Sequence, residues 1–79
     1  MITVTVNGAP HRIAPGATLV DIIAEVTGRE LTTHGTPADG GRLGVAVALD
    51  ASVVPRSRWG VTTPVADAQV EIITAMQGG

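Results

Sequence analysis

The stretch TLVDIIAEVTG, residues 18–28, constrains the fold more than any other. Leu19, Ile22, Ile23 and Val26 fall at i, i+3, i+4 and i+7, which predicts one apolar stripe along a helix. Thr18 stands where an N-cap is needed. Asp21, three residues on, can return a bond to the backbone as in a capping box. Gly28 ends the stretch where a left-handed residue closes a helix at little cost. The chain has 79 residues, which implies one domain. A single amphipathic helix must cover its stripe with something else, and the rest of the sequence reads as strands.

ITVTVNGAPHRI predicts a hairpin. Ile2, Val4 and Val6 alternate with Thr3 and Thr5 at period two, the pattern of a half-buried strand. Asn7-Gly8 suits a type I′ turn, and the return strand runs from about Ala9 to Ile13. Pro10 marks that strand as an edge or a beginning. Residues 29–43, RELTTHGTPADGGRL, are polar and turn-rich and predict an exposed, mobile loop. Val45, Val47 and Leu49 face one way on the next strand, with a turn near Asp50-Ala51. Ser52 to Val54 form a short strand that Pro55 ends. RSRWGVTTPVAD predicts a turn or short helical piece and a loop. The last strand runs from Val70 to about Met76, apolar on both sides and so expected at the centre of the sheet. The order is β-β-α-β-β-β. Pairing the first and last strands in parallel, with the helix inside the crossover, gives an α+β fold. That layout is a β-grasp, or ubiquitin-like, mixed sheet of four to five strands with one main helix across it, in an element order that other α+β folds share. Residues 1–76 form that domain and 77–79 a flexible tail.

Composition narrows the function. With 44% hydrophobic residues the chain is a folded domain. Net charge is −2, and Arg56 and Arg58 are the nearest thing to a basic cluster. No nucleic acid and no anionic membrane is expected as the main partner. Cysteine is absent, which excludes disulfides, thiolate zinc sites and a catalytic thiol. MITVTV lacks a signal-peptide pattern and the most apolar run is too short to span a bilayer. The expected location is cytoplasmic. His11 and His34 lie far apart and read as structural or solvated. Asp39-Gly40-Gly41 lacks the ending of a phosphate-binding loop. Ser52 and Ser57 have no nucleophile-elbow context. No catalytic constellation is expected, so the chain reads as a non-enzyme.

Attention then falls on EIITAMQGG. The α-carboxylate of Gly79 is the one distinctive reactive group left. It becomes an electrophile only when an oxygen joins a leaving group such as AMP. Gly78 and Gly79 let the backbone approach the walls of a narrow channel.

The sequence resembles the ThiS family of sulfur carriers. The resemblance rests on ITVTVNG, PGATLVDIIAEV, VAVALDASVVPRSRW and the terminal VEIITAMQGG. Val54-Pro55-Arg56 followed by Trp59 is its most specific part. The chain departs from the family in a longer 29–43 loop and in Ala66-Asp67-Ala68, where a Gly-Asp pair is usual. The resemblance implies a carrier cycle. A ThiF-type, E1-like adenylating enzyme would use ATP and magnesium to adenylate Gly79, and the chain itself would bind no cofactor and no metal. A desulfurase system would supply sulfur from cysteine, leaving a C-terminal thiocarboxylate. A ThiG-type thiazole synthase would take that sulfur. Gly79 would carry the sulfur and Gly78 would give clearance. Gln77 and Met76 would line the tail inside the partner. Trp59 reads first as a core or lid residue and second as a partner hot spot. Arg56 and Arg58 read as a solvated pair or as a surface steering acidic partners. Two alternatives stay open: a related carrier feeding molybdopterin or another product, and a β-grasp binding module with an inert tail.

Overall fold

The computed structural model describes residues 1–41 and 43–74. The hairpin forms as expected. β1 (Ile2–Val6) pairs antiparallel with β2 (Ala9–Ile13), with Ile2 opposite Ile13 and Val6 opposite Ala9. Asn7 and Gly8 take φ of 50° and 83°, the positive values of a type I′ turn. α1 (Leu19–Thr27) starts at Thr18, whose hydroxyl accepts from the Asp21 amide while the Asp21 carboxylate accepts from the Thr18 amide. It ends at Gly28 with φ of 70°.

β3 (Val45–Leu49) and β4 (Ser52–Val54) form a second hairpin through Asp50 and Ala51. A 3-10 helix, Arg56–Val61, follows. The chain then returns as β5 (Gln69–Thr74). The sheet order is β2-β1-β5-β3-β4, with β1 and β5 parallel and the other neighbours antiparallel. This is the expected β-grasp layout, with α1 inside the crossover from β1 to β5.

The core is aliphatic with one aromatic. Val4, Val6 and Ile13 from the first hairpin meet Leu19, Val20, Ile22 and Ile23 of α1. Leu43, Val47, Trp59, Ala68, Val70 and Ile72 complete the cluster, and Val45 and Leu49 are among the residues packed against it. Two expectations are corrected here. Val26 lies in the last turn of α1 and is 44% exposed; Val20, in the first turn, is buried in its place. β5 is central, but only one of its faces is covered. Glu71 and Ile73 point to the open side of the sheet, because a sheet with a helix on one face leaves the other to solvent. The strand begins one residue before the expected Val70, and positions 75 and 76 lie outside the described residues.

Candidate functional site

β5 is the last described element before the candidate residues 76–79 in the sequence, and its anchoring is set by its neighbours. Its first half is gripped from both sides. Gln69 and Val70 register with Thr5 and Val6 of β1. The Thr5 amide donates to Ala68 O at 2.9 Å and the Asn7 amide to Val70 O at 2.9 Å. Past the end of β1, the Asn7 side chain continues the pairing. Its Oδ1 accepts from the Ile72 amide at 2.8 Å and its Nδ2 donates to Ile72 O at 3.3 Å. The primary amide therefore stands in for one further strand residue. On the other side, Asp50 brackets Gln69: the Asp50 amide donates to Gln69 O at 2.8 Å, and Asp50 Oδ1 accepts from the Gln69 amide at 2.9 Å. The turn before β5, Ala66-Asp67-Ala68, sets Asp67 at φ of 68° and ties its amide to Thr3 O at 2.8 Å. The departure from Gly-Asp is thus absorbed by Asp67 itself, a residue type that tolerates the left-handed region.

Beyond Ile72, the described pairing of β5 is with β3 alone, Ile73 opposite Ala46 and Thr74 opposite Val45. Met76, Gln77, Gly78 and Gly79 lie outside the described residues. Five residues follow Thr74, a span of at most roughly 17 Å.

Trp59 and Arg56 sit together, and neither is a plain surface residue. Trp59 is 1% exposed, and its indole N–H donates to Val54 O at 3.0 Å. A buried ring with a satisfied donor is a core residue, which meets the first reading and removes Trp59 from the exposed surface. The expected solvated pair of arginines divides. Arg58 is exposed. Arg56 is half-buried, with its guanidinium carbon 4.9 Å from the Trp59 ring centroid. Its Nη1 donates to Gly35 O at 3.1 Å, and its Nη2 donates to Leu43 O and to Val45 O at 3.3 Å.

This arrangement also alters the reading of residues 29–43. His34, Thr36 and Ala38 to Gly41 are exposed as expected, yet Gly35, Pro37 and Leu43 are buried. The segment folds back through a bridge between Leu31 and Pro37 and docks on Trp59. Glycine makes the docking possible at two places. A Cβ on Gly35 would stand 2.8 Å from both Arg56 Cγ and Trp59 Cε3, and one on Gly60 would stand 2.3 Å from Thr33 O. Farther out, Asp39 Oδ1 accepts from the Gly41 amide at 2.8 Å and meets Arg29 Nη2 at 3.3 Å. The Gly41 bond, assisted by Arg29 against some desolvation, holds the Asp39 carboxyl below its ordinary range.

His11 lies beneath α1 with Nε2 3.6 Å from Glu25 Oε2, while His34 is in the 29–43 segment, so the two histidines do not converge. Among the described residues no group of three His, Asp or Glu side chains could hold a metal ion, and no helix is long and apolar enough to cross a membrane. Sequence reasoning missed Asn7 and Arg56 as organisers of β5 and its neighbour. Asn7 carried only a turn signal. For Arg56 a signal existed: Arg and Trp three residues apart on a helical turn meet on one face.

Residues 4–79 match the ThiS family. The chain is similar to the crystal structure of the thiamine biosynthesis protein (ThiS) from Geobacter metallireducens, at 24% identity and a TM-score of 0.69. The similarity covers 99% of this chain and all of that one. It is also similar to an NMR solution structure of a thiamine biosynthesis protein from the same organism, at 21% identity and a TM-score of 0.64, covering 99% of this chain and 88% of that one. These likenesses show the shared β-grasp fold. No curated protein matches the chain. The chain belongs to the ThiS family, whose members are small sulfur carriers of thiamine biosynthesis.

Proposed function

We propose that Gly79 supplies the carboxylate on which sulfur is carried. The observation that supports this most is the family match, which runs through Gly79 itself. The fold supports it too: β5 is the central strand, anchored along its length by β1, β3, Asn7 and Asp50. A terminus attached to such a strand is presented by a rigid body rather than by a loop.

The chemistry needs a partner. In the active site of a ThiF-type adenylating enzyme, a Gly79 carboxylate oxygen attacks the α-phosphorus of ATP. Pyrophosphate leaves, magnesium balances the phosphate charge, and an acyl-adenylate forms. A sulfur nucleophile derived from cysteine by a desulfurase then attacks the acyl carbon. The attacking group is the terminal sulfur of the desulfurase persulfide: the C–S bond forms as the bond to AMP breaks, giving an acyl disulfide. A thiol reductant then cleaves its S–S bond, leaving the C-terminal thiocarboxylate and a new disulfide. Its sulfur passes to a ThiG-type thiazole synthase. Gly78 clears the channel, Gln77 and Met76 line the tail within the partner, and exposed Arg58 contributes to the docking face. ATP and magnesium belong to the partner, and the reactions run in the cytoplasm.

The test is adenylation. ATP–pyrophosphate exchange by a ThiF-type enzyme should depend on the intact chain and vanish when Gly79 is deleted, with the circular dichroism spectrum unchanged. Exchange that persists without Gly79 refutes the assignment.

A further inference from the structure

Arg56 takes no part in the chemistry proposed above, yet its guanidinium reaches three main-chain carbonyls. Gly35 O and Leu43 O belong to the 29–43 segment, and Val45 O to the first residue of β3. The same group lies over the Trp59 ring, 4.9 Å from its centroid. Trp59 is itself fixed by burial and by its bond to Val54 O. Arg56 therefore joins the start of β3 to a rigid part of the core.

Val45 is also the register partner of Thr74, the last described residue of β5. The described pairings of β1 with β5 stop at Val70, and the Asn7 side chain reaches only Ile72. At Ile73 and Thr74 the described pairing is to Ala46 and Val45 of β3. What holds Val45 thus also holds the residue to which 75–79 are attached.

We propose that Arg56 is a positioning residue: its clamp on Val45 and Leu43, braced by Trp59, fixes the anchor of the C-terminal segment at Thr74. This rests on the carrier reading of Gly79. The physical reason is reach. A tail limited to roughly 17 Å tolerates little error in its anchor when the body is docked at a fixed offset. Lost preorganisation weakens productive binding more than chemistry at saturation. Arginine is required because its planar fork reaches separated carbonyls while its flat face stacks on the indole; a lysine ammonium concentrates its three donors at one point and has no flat face to stack.

The test combines two readouts on the full chain, with Arg56→Ala and the milder Arg56→Lys. The first is amide hydrogen exchange of the free protein, followed by NMR. In both variants, exchange at the Val45, Ala46, Ile73 and Thr74 end of the β3–β5 ladder should rise at least about tenfold, as expected when a local opening is made easier. Amides at the Leu49 and Val70 end should keep their wild-type rates. The second is steady-state adenylation by a ThiF-type enzyme. KM for the carrier should rise about tenfold with kcat within about twofold, the split expected when binding geometry and not chemistry is lost. Lysine should not rescue either readout, whereas a simple charge contact with a partner would be rescued. Wild-type exchange at the Val45–Thr74 end, uniform acceleration across the ladder, an unchanged KM, or rescue by lysine would each overturn the proposal. If the wild-type chain itself is not adenylated, the carrier reading fails separately, and the exchange rates alone decide whether the clamp exists. Should Arg56→Ala not fold, Arg56→Lys decides.

Discussion

Replacing Asn7 tests the claim that its side chain is part of the sheet. Two separate quantities are at stake. The first is backbone: Asn7 has φ of 50°, where alanine is disfavoured by about 1 kcal/mol and glycine is not. The second is the pair of bonds to Ile72, at 2.8 and 3.3 Å, each with a net contribution of about 0.5–1.5 kcal/mol. Asn7→Gly removes the bonds while keeping the turn, and adds the chain entropy of glycine, for a total of about 2 kcal/mol. Asn7→Ala loses the bonds and gains strain, about 3 kcal/mol in all. Asn7→Asp keeps the acceptor for the Ile72 amide, loses the donor and sets a carboxylate against Ile72 O, at about 1–2 kcal/mol. For a domain of this size each kcal/mol lowers Tm by about 4–8 °C, so the glycine variant should melt roughly 8–16 °C below wild type. Urea titration gives the free energies, and NMR exchange shows whether the Ile72 amide loses protection selectively. The predicted order of stability is wild type, Asp, Gly, Ala. If Asn7→Gly is as stable as wild type and Ile72 stays protected, Asn7 is a turn residue only and the reasoning is wrong.

Other expectations follow from single contacts. Ala51 sits at φ of 69°, so Ala51→Gly should raise stability by about 1 kcal/mol in urea titration; a loss would mean that the β3–β4 turn carries no strain. Gly60→Ala would drive a Cβ to within 2.3 Å of Thr33 O, and overpacking there should cost about 1–3 kcal/mol. That variant should also expose the 29–43 segment to limited proteolysis, and wild-type resistance would contradict the docking. The Asp39 carboxyl is held low by the Gly41 amide and by Arg29. A folded-state pKa below the unfolded one gives stability that is complete above the unfolded value and is lost as pH falls through the folded one. Acid should therefore loosen the Gly41 amide before the core in exchange measurements. In Asp39→Asn that acid-dependent loosening should be absent, and its persistence would sink the assignment.

The parts of this fold that were legible in sequence are those whose physics is local. The Thr18–Asp21 box and Gly28 bound α1 because caps act within one turn. Asn7-Gly8 and the Val/Thr alternation set the first hairpin for the same reason. The parallel join of β1 to β5 followed from burial logic, since one helix and one sheet leave few ways to hide both faces. What was not legible joins distant segments. Asn7 and Ile72 are 65 positions apart, and a side chain that mimics a strand residue leaves no period behind. Residues 29–43 look polar because most of those described are exposed; Leu31 and Leu43 are isolated apolar residues, and Gly35 and Pro37 dock without leaving a hydrophobic pattern. Arg56 was read by its charge, when its neighbours decide its role. Val26 kept the helical spacing of the apolar stripe while lying in the last turn, past the part of α1 that is covered.

The central claim is that Gly79 carries sulfur. The most direct measurement is intact-mass spectrometry after incubation with a ThiF-type enzyme, ATP, magnesium, a cysteine desulfurase and cysteine, followed by an alkylating reagent. Replacing oxygen with sulfur changes the mass almost as oxidation of a methionine does, so alkylation makes the distinction. The chain contains no cysteine, and a thiocarboxylate is far more nucleophilic than any of its side chains near neutral pH. One rapid alkylation, mapped by fragmentation to Gly79, is the predicted result. A C-terminus that stays unalkylated, with the enzymes active on another carrier, would contradict the account.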